Sequence, residues 1–248
     1  IDAAIQDTLA RIEFQNEHDD KEEETLGVEL GFFTHPKQRP QRLIQSLPSQ
    51  AFFTDEEIPE MKVLRDNYAV IRNELEQLIH TGPKTFRDVP DPIYRKNMWK
   101  QFLLYGNGKP HPTNTAKCPE TTKIIEQFKN ATSLTTTSII GFSNIYPGTN
   151  ITPHTGFSND RVRIHIGIIV PDNCFLTVGD DVVQWKEGET IAFSDSFIHS
   201  VENKSDQNRY ILIVDVWNPH MTKEQIEFEK ELHLPLKKAV KDRSGMFL

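Results

Sequence analysis

Cysteine is almost absent from this chain, with only Cys118 and Cys174 in 248 residues. Two cysteines cannot build a disulfide framework, and these two lack the spacing of a zinc site. A reducing compartment, the cytoplasm, is the simpler reading. The endoplasmic-reticulum lumen is the alternative if a leader or anchor was trimmed ahead of Ile1. Long hydrophobic runs are missing as well: no stretch approaches the ~20 apolar residues of a membrane span. No basic start followed by an apolar middle marks a signal peptide. Nor is there a basic excess, since 28 Lys and Arg stand against 36 Asp and Glu for a net charge of -8. That balance argues against nucleic acid as the main partner and against docking on anionic lipid. Internal repeats and low-complexity tracts are also lacking.

What is present changes character along the chain. Residues 1–17 read as an amphipathic helix with Ile1, Ile5, Leu9 and Ile12 on one face. A charged run from His18 to Glu24 reads as a solvated linker. Pro36, Pro40 and Pro48 make residues 33–53 extended and irregular. A second helix is expected from about Glu56 to Ile79, where Met61, Leu64, Tyr68, Ile71, Leu75 and Leu78 keep helical spacing; Pro83, Pro90 and Pro92 close that region. From about Ser133 the period shortens. Residues 133–146, 161–170, 174–178, 182–185, 190–193 and 209–217 are short runs rich in β-branched or aromatic residues, with turn residues between them. Many short strands at close spacing predict a barrel or jelly roll. Thr222 and Gln225 fit a capping box opening a C-terminal helix. The expected division is a helical and irregular region over 1–94 packed on a β domain over 95–248.

Two of the nine histidines stand at expected strand edges. His154 follows the turn-rich stretch that starts at Pro147, and His199 closes the run from Phe193. Paired imidazoles with open positions suit Fe(II) with room for a cosubstrate and O2; hydrogen-bonded loop histidines fit the spacing equally. On a strand, Arg161, Arg163 and His165 share one face and Val162, Ile164 and Ile166 the other. If the apolar face meets an outer packing layer, three basic groups point inward and need anionic partners, such as a dicarboxylate ligand. Turned over, the same strand exposes them to solvent. Arg209 opens an apolar strand, a place from which a guanidinium can fork onto a carboxylate, although taken by itself the residue is more readily an exposed strand-edge arginine. The hydroxyl of Ser143 could join such a site. Asp195, four residues before His199, fits either a third ligand or an acceptor behind the ligands.

The run from Ile145 to Gly156, Asn159, the run from Arg161 to Gly167, Trp185 to Gly188, Phe193 to His199, Arg209, and Val214 to Pro219 together resemble the aspartyl/asparaginyl β-hydroxylase family. The resemblance spans roughly residues 95–225, with several linked motifs in order. It implies a mainly β protein with flanking helices around a double-stranded β-helix, the jelly-roll or cupin-like barrel. It also implies oxidative decarboxylation of 2-oxoglutarate, with Fe(II) and O2, coupled to C–H hydroxylation. Succinate and CO2 would be the coproducts. On this resemblance His154 and His199 are the iron ligands. Gly156 stands where most such oxygenases carry a carboxylate ligand, so water would fill that position and Asp195 would act from behind. Ser143 and Arg209 would hold the far carboxylate of 2-oxoglutarate. Arg163 and His165 would flank its chelating end or the substrate, and Arg161 would meet the substrate's acidic group. The expected substrate is a peptide, amino acid or small molecule with an acidic or amide group. A lipid A-type acyl hydroxylase of the same family, and a non-catalytic jelly-roll binding protein, are the alternatives.

Overall fold

The computed structural model describes residues 1–18, 24–82, 85–89 and 98–244. The N-terminal part contributes α1 (Asp2–Glu17), α2 (Glu24–Glu29), β1 (Phe52–Phe53), α3 (Glu60–Asp66), α4 (Tyr68–His80) and β2 (Arg87–Asp88). Next come β3 (Trp99–Gly106), β4 (Lys109–Pro110), α5 (Pro112–Thr115), α6 (Pro119–Ile125) and α7 (Lys129–Thr132). The remaining strands are β5 (Ile139–Ile145), β6 (Asn150–His154), β7 (Arg161–Ile169), β8 (Cys174–Val178), β9 (Asp181–Gln184), β10 (Thr190–Phe193), β11 (His199–Asn203) and β12 (Arg209–Trp217). The chain ends in α8 (Lys223–Ser244). Most of the expected linker at 18–24, the prolines 83, 90 and 92, and the expected boundary at 94/95 lie outside the described residues.

Strands β5 to β12 are shared between two antiparallel sheets, the chain changing sheet at each step except β8 to β9. One runs β1-β10-β7-β12-β5-β3-β2, with β4 on β3; the other runs β6-β11-β8-β9. Each central strand pairs with partners remote in sequence: β12 lies between β5 and β7, and β11 between β6 and β8. Two interleaved Greek keys closing face to face make the double-stranded β-helix expected from the sequence.

The period of two decides what lies between the layers. On β7, Val162, Ile164, Ile166 and Ile168 turn outward and pack with Leu212 and Val214 of β12 beneath Leu64, Ile71 and Leu75 of α3 and α4. Burying each such side chain contributes about 1.5–3 kcal/mol. Their alternates, Arg161, Arg163 and His165, are thereby forced between the sheets. Helices covering the apolar face settle which way that strand turns. Between the sheets, Leu176, Trp185, Phe193, Val201, Ile211 and Ile213 form a second core.

The single helix expected over 56–79 is two. It breaks at Asn67, whose side-chain amide donates to the Val63 carbonyl at 2.8 Å and draws the backbone out of helical geometry. The buried Glu74 of α4 caps α6 from outside, accepting from the amides of Glu120 (2.9 Å) and Thr121 (2.8 Å). The capping box of α8 forms as expected. The Thr222 amide donates to Gln225 Oε1 at 2.8 Å, and the Gln225 amide to Thr222 Oγ1 at 3.2 Å. Leu232, Leu236 and Val240 of α8 then pack on Leu9 and Ile12 of α1.

Candidate active site

His154 ends β6 and His199 begins β11, and the two are direct cross-strand partners. Opposed residues on antiparallel strands bring their side chains together, and here the ring centroids lie 4.2 Å apart. Each ring is oriented in the same way. Nδ1–H of His154 donates to the Thr152 carbonyl at 2.8 Å, and Nδ1–H of His199 to the Phe197 carbonyl at 2.9 Å. That assignment leaves the lone pair of each imidazole on Nε2, the arrangement that suits metal ligation. Burial, and then the neighbouring His154, push the His199 pKa down to about 3, so its ring is neutral. Among the described residues no group of three or more His, Cys, Asp or Glu gathers to hold a metal. The two oriented imidazoles offer a pair of lone pairs and no more.

The cavity that begins at these rings is lined by Ser143, His154, Arg163, His165, His199 and Arg209 among apolar side chains of both sheets. In its lining Arg209 is 1 % exposed and stacks over Trp185, with its guanidinium carbon 4.6 Å from the ring centroid. Its Nε and Nη1 have no partner, and burial pushes its pKa down to about 9. His165 Nδ1 accepts from Trp185 Nε1–H at 3.3 Å, which places the ring proton on Nε2, and that buried atom also lacks a partner. Burial, followed by the charges of Arg163 and Arg209, holds His165 far below its usual range and neutral. Ser143 Oγ accepts from Trp99 Nε1–H at 3.0 Å, so its own proton can be donated elsewhere. Unanswered donors with no acceptor in a low-dielectric cleft call for an anion. A roomier cavity of about 490 Å³ opens around β2, β3 and α5, near Arg87, Gln101 and His111. None of its described lining residues carries a buried polar atom without a partner.

Asp195 and Arg161 stand behind this wall. Arg161, 2 % exposed, donates to the Thr136 carbonyl (3.1 Å), Thr137 Oγ1 (2.8 Å) and Asp195 Oδ2 (3.2 Å). Arg163 forks onto Asp215 at 2.8 and 2.9 Å and reaches Asp195 at 3.2 Å. Two carboxylates and two guanidiniums thus balance between the sheets. Burial works against the Asp195 charge, but Arg161 and Arg163 outweigh it and hold its carboxyl below the usual range. Its Oδ1 has no partner. A Cβ on Gly156 would run into this carboxylate, and the Gly156 amide donates to the Asp195 carbonyl at 2.6 Å. Asp195 therefore occupies the space that a side chain two residues after His154 would fill.

Sequence reasoning missed the parts played by Asp215, Trp185 and Trp99. Asp215 carried a signal: an acid within the apolar run 210–217 needs a cation, and Arg163 lies directly across from it.

Two facing antiparallel sheets with a cross-strand histidine pair and an anion-seeking cleft between them define a double-stranded β-helix protein. The family model for aspartyl/asparaginyl β-hydroxylase matches residues 65–219, and the chain belongs to that family. The aspartyl/asparaginyl β-hydroxylases of Mus musculus and Homo sapiens are each 31% identical to it over 204 residues, covering 81% of this chain and 27% of theirs. Aspartate β-hydroxylase domain-containing protein 2 of Xenopus tropicalis is 31% identical over 188 residues, covering 72% of this chain and 50% of its own. The chain thus spans about a quarter of the length of the mouse and human relatives. Among solved structures, a predicted oxalate decarboxylase from Thermotoga maritima is similar at 15% identity with a TM-score of 0.34, over 54% of this chain and 92% of its own. The fold itself rests on the strand pairing described above. No helix among the described residues is long and apolar enough to cross a membrane.

Proposed function

We propose that this chain is an Fe(II)- and 2-oxoglutarate-dependent hydroxylase. It acts on the β-carbon of an aspartyl or asparaginyl residue, or of a related small-molecule or carrier-bound substrate. The observation that carries this reading is a single cavity lined both by two oriented imidazoles and by Arg209, whose Nε and Nη1 have no partner. His154 and His199 would hold the metal. Ser143 and Arg209 would bind the far carboxylate of 2-oxoglutarate, and His165 Nε2–H would donate along its length. Bound iron with 2-oxoglutarate and O2 supplies the oxidant for C–H hydroxylation, leaving succinate and CO2.

The chain's own residues position and enclose. The apolar side chains between the sheets keep water from the cleft, which strengthens each charge-assisted bond there. Asp195, its charge favoured by Arg161 and Arg163, holds the partnerless Oδ1 beside Gly156 and would accept a hydrogen bond from the metal's own coordination sphere were a metal bound. The substrate's acidic or amide group is assigned to Arg163 rather than to Arg161, which lies behind the wall and is held by Thr136, Thr137 and Asp195. Arg163 reaches the cavity, and Arg161 sets the charge behind it.

Anaerobic titration of Fe(II) and 2-oxoglutarate into the chain tests the assignment. A weak visible charge-transfer band is expected only when both are present. A folded chain that gives no band would reject the proposal in favour of a binding jelly roll.

Gly156 provides a further check. Gly156→Ala is expected to displace the Asp195 carboxylate and to weaken metal binding by roughly 10–100-fold, the usual cost of losing a group that supports a ligand. In an Asp195→Ala background the same change should cost little more, because both act through one carboxylate. Additive losses in Co(II) affinity across that cycle would refute the shared role.

A further inference from the structure

We infer that residues 37–44 form a positioning strap that holds the two histidine-bearing loops in register, making the N-terminal segment part of the metal site. This rests on the assignment of His154 and His199 as ligands. The strap lies outside residues 65–219, the span matched by the family model.

One end of the strap grips the loop ahead of His199. The Ile198 amide donates to the Lys37 carbonyl at 2.7 Å, and the Arg39 amide to the Ser196 carbonyl at 3.0 Å. Between them the buried Gln38 pairs with Phe197 as an isolated bridge, and its Nε2 donates to Ser196 Oγ at 2.9 Å. These bonds reach the residue next to His199 and flank Phe197, whose carbonyl orients the His199 ring.

The other end grips the loop after His154. The Arg42 amide donates to the Phe157 carbonyl at 2.8 Å. The Ile44 amide donates to Asn159 Oδ1 at 2.8 Å, and Asn159 Nδ2 returns a bond to the Ile44 carbonyl at 3.1 Å. The Arg39 carbonyl, between the two grips, also accepts from Thr155 Oγ1 at 3.2 Å, beside His154 itself.

The spacing makes this a coupling rather than two separate contacts. Only Pro40 and Gln41 separate Arg39 from Arg42, and proline fixes its own φ and restricts the residue before it. The strap is anchored from outside as well. The Arg39 carbonyl accepts from Gln15 Nε2 of α1 at 2.7 Å, and Arg42 pairs with the buried Glu229 of α8. Strands β6 and β11 fix the distance between the histidine Cα atoms, but both rings sit at strand ends, where the ladder stops constraining the chain. There the strap takes over.

Inserting Gly-Gly between Pro40 and Gln41 should keep both sets of contacts while uncoupling them. Co(II), an air-stable probe, is titrated into the wild-type full chain, the insertion variant, Gln38→Ala and, as a control, Glu74→Gln. Glu74 caps α6 outside the site, so its variant should lower the melting temperature and leave Co(II) affinity unchanged. The insertion is expected to raise the Co(II) Kd by roughly tenfold or more and to alter the visible d–d spectrum, which reports ligand geometry. Gln38→Ala should shift both the same way by less, and it decides the matter if the insertion variant does not fold. Co(II) affinities within about twofold of wild type, with unchanged spectra, would overturn the strap. A wild-type chain that binds no Co(II) would overturn the metal assignment and the strap with it.

Discussion

Alanine at position 199 is expected to remove metal binding and turnover together while leaving a cooperatively folded chain. His199 is buried, and its ring is fixed twice: Nδ1–H donates to the Phe197 carbonyl, and the ring edge meets Phe193 at a centroid distance of 5.5 Å. Its burial keeps it neutral across the physiological range, so its lone pair is available at any ordinary pH. Removing it leaves His154 as the single imidazole of the cross-strand pair, and one such ligand cannot hold Fe(II) against water. The loss of affinity should exceed the roughly 10–100-fold that follows from disturbing a supporting hydrogen bond. Co(II) titration reads this directly, without needing a substrate. Wild-type affinity in His199→Ala would take His199 out of the site. The fold itself depends on other contacts, chiefly the packing of β7 and β12 beneath α3 and α4, so a broadened melting transition is not expected.

Much of the barrel was legible because its central strands are buried on both faces and read as apolar runs. Strands β8, β10 and β12 begin and end where the runs do. The strands that carry the histidines were not legible as strands. β6 is an edge strand holding an exposed Thr152 and Pro153, a place where proline costs no ladder bond, so its sequence looks like a turn. β3 was missed because it lengthens the sheet beyond the eight strands of the barrel; its residues Trp99, Lys100 and Gln101 are only half-buried and show no clean alternation. The facing of Arg161, Arg163 and His165 could not be read from β7 alone, since either face could have been the core. The helices that cover Val162 and Ile164 decide it, and they lie about 90 residues earlier in the chain. The strap over 37–44 was equally hidden. Its grip on both loops is almost all main chain, and main-chain bonds leave no residue pattern.

Arg209→Met should produce two effects of opposite sign. Within the protein, the guanidinium is a buried charge with two donors unanswered and the Trp185 face against it. Burying an unpaired ion costs several kcal/mol even after relaxation, a cost that an apolar side chain of similar length does not carry, against a loss of about 0.5–2 kcal/mol of cation–π attraction. The ligand-free variant should therefore melt no lower than the wild type. With 2-oxoglutarate the order reverses. Each charge-assisted hydrogen bond to a carboxylate contributes about 1.5–3 kcal/mol. Loss of even one such bond should then raise the 2-oxoglutarate Kd by roughly 10–100-fold, at about 1.4 kcal/mol per decade. Stabilisation by the cosubstrate, which follows its concentration relative to Kd, should disappear at levels that shift the wild-type melting temperature. At saturating 2-oxoglutarate, kcat should fall far less than kcat/KM, because the far carboxylate is gripped equally before and during the reaction. An Arg209→Met chain that binds 2-oxoglutarate as tightly as wild type would place the carboxylate clamp elsewhere. One that melts well below wild type would mean that Arg209 already has a partner within the protein, and the case for a built anion site would fail on its main observation.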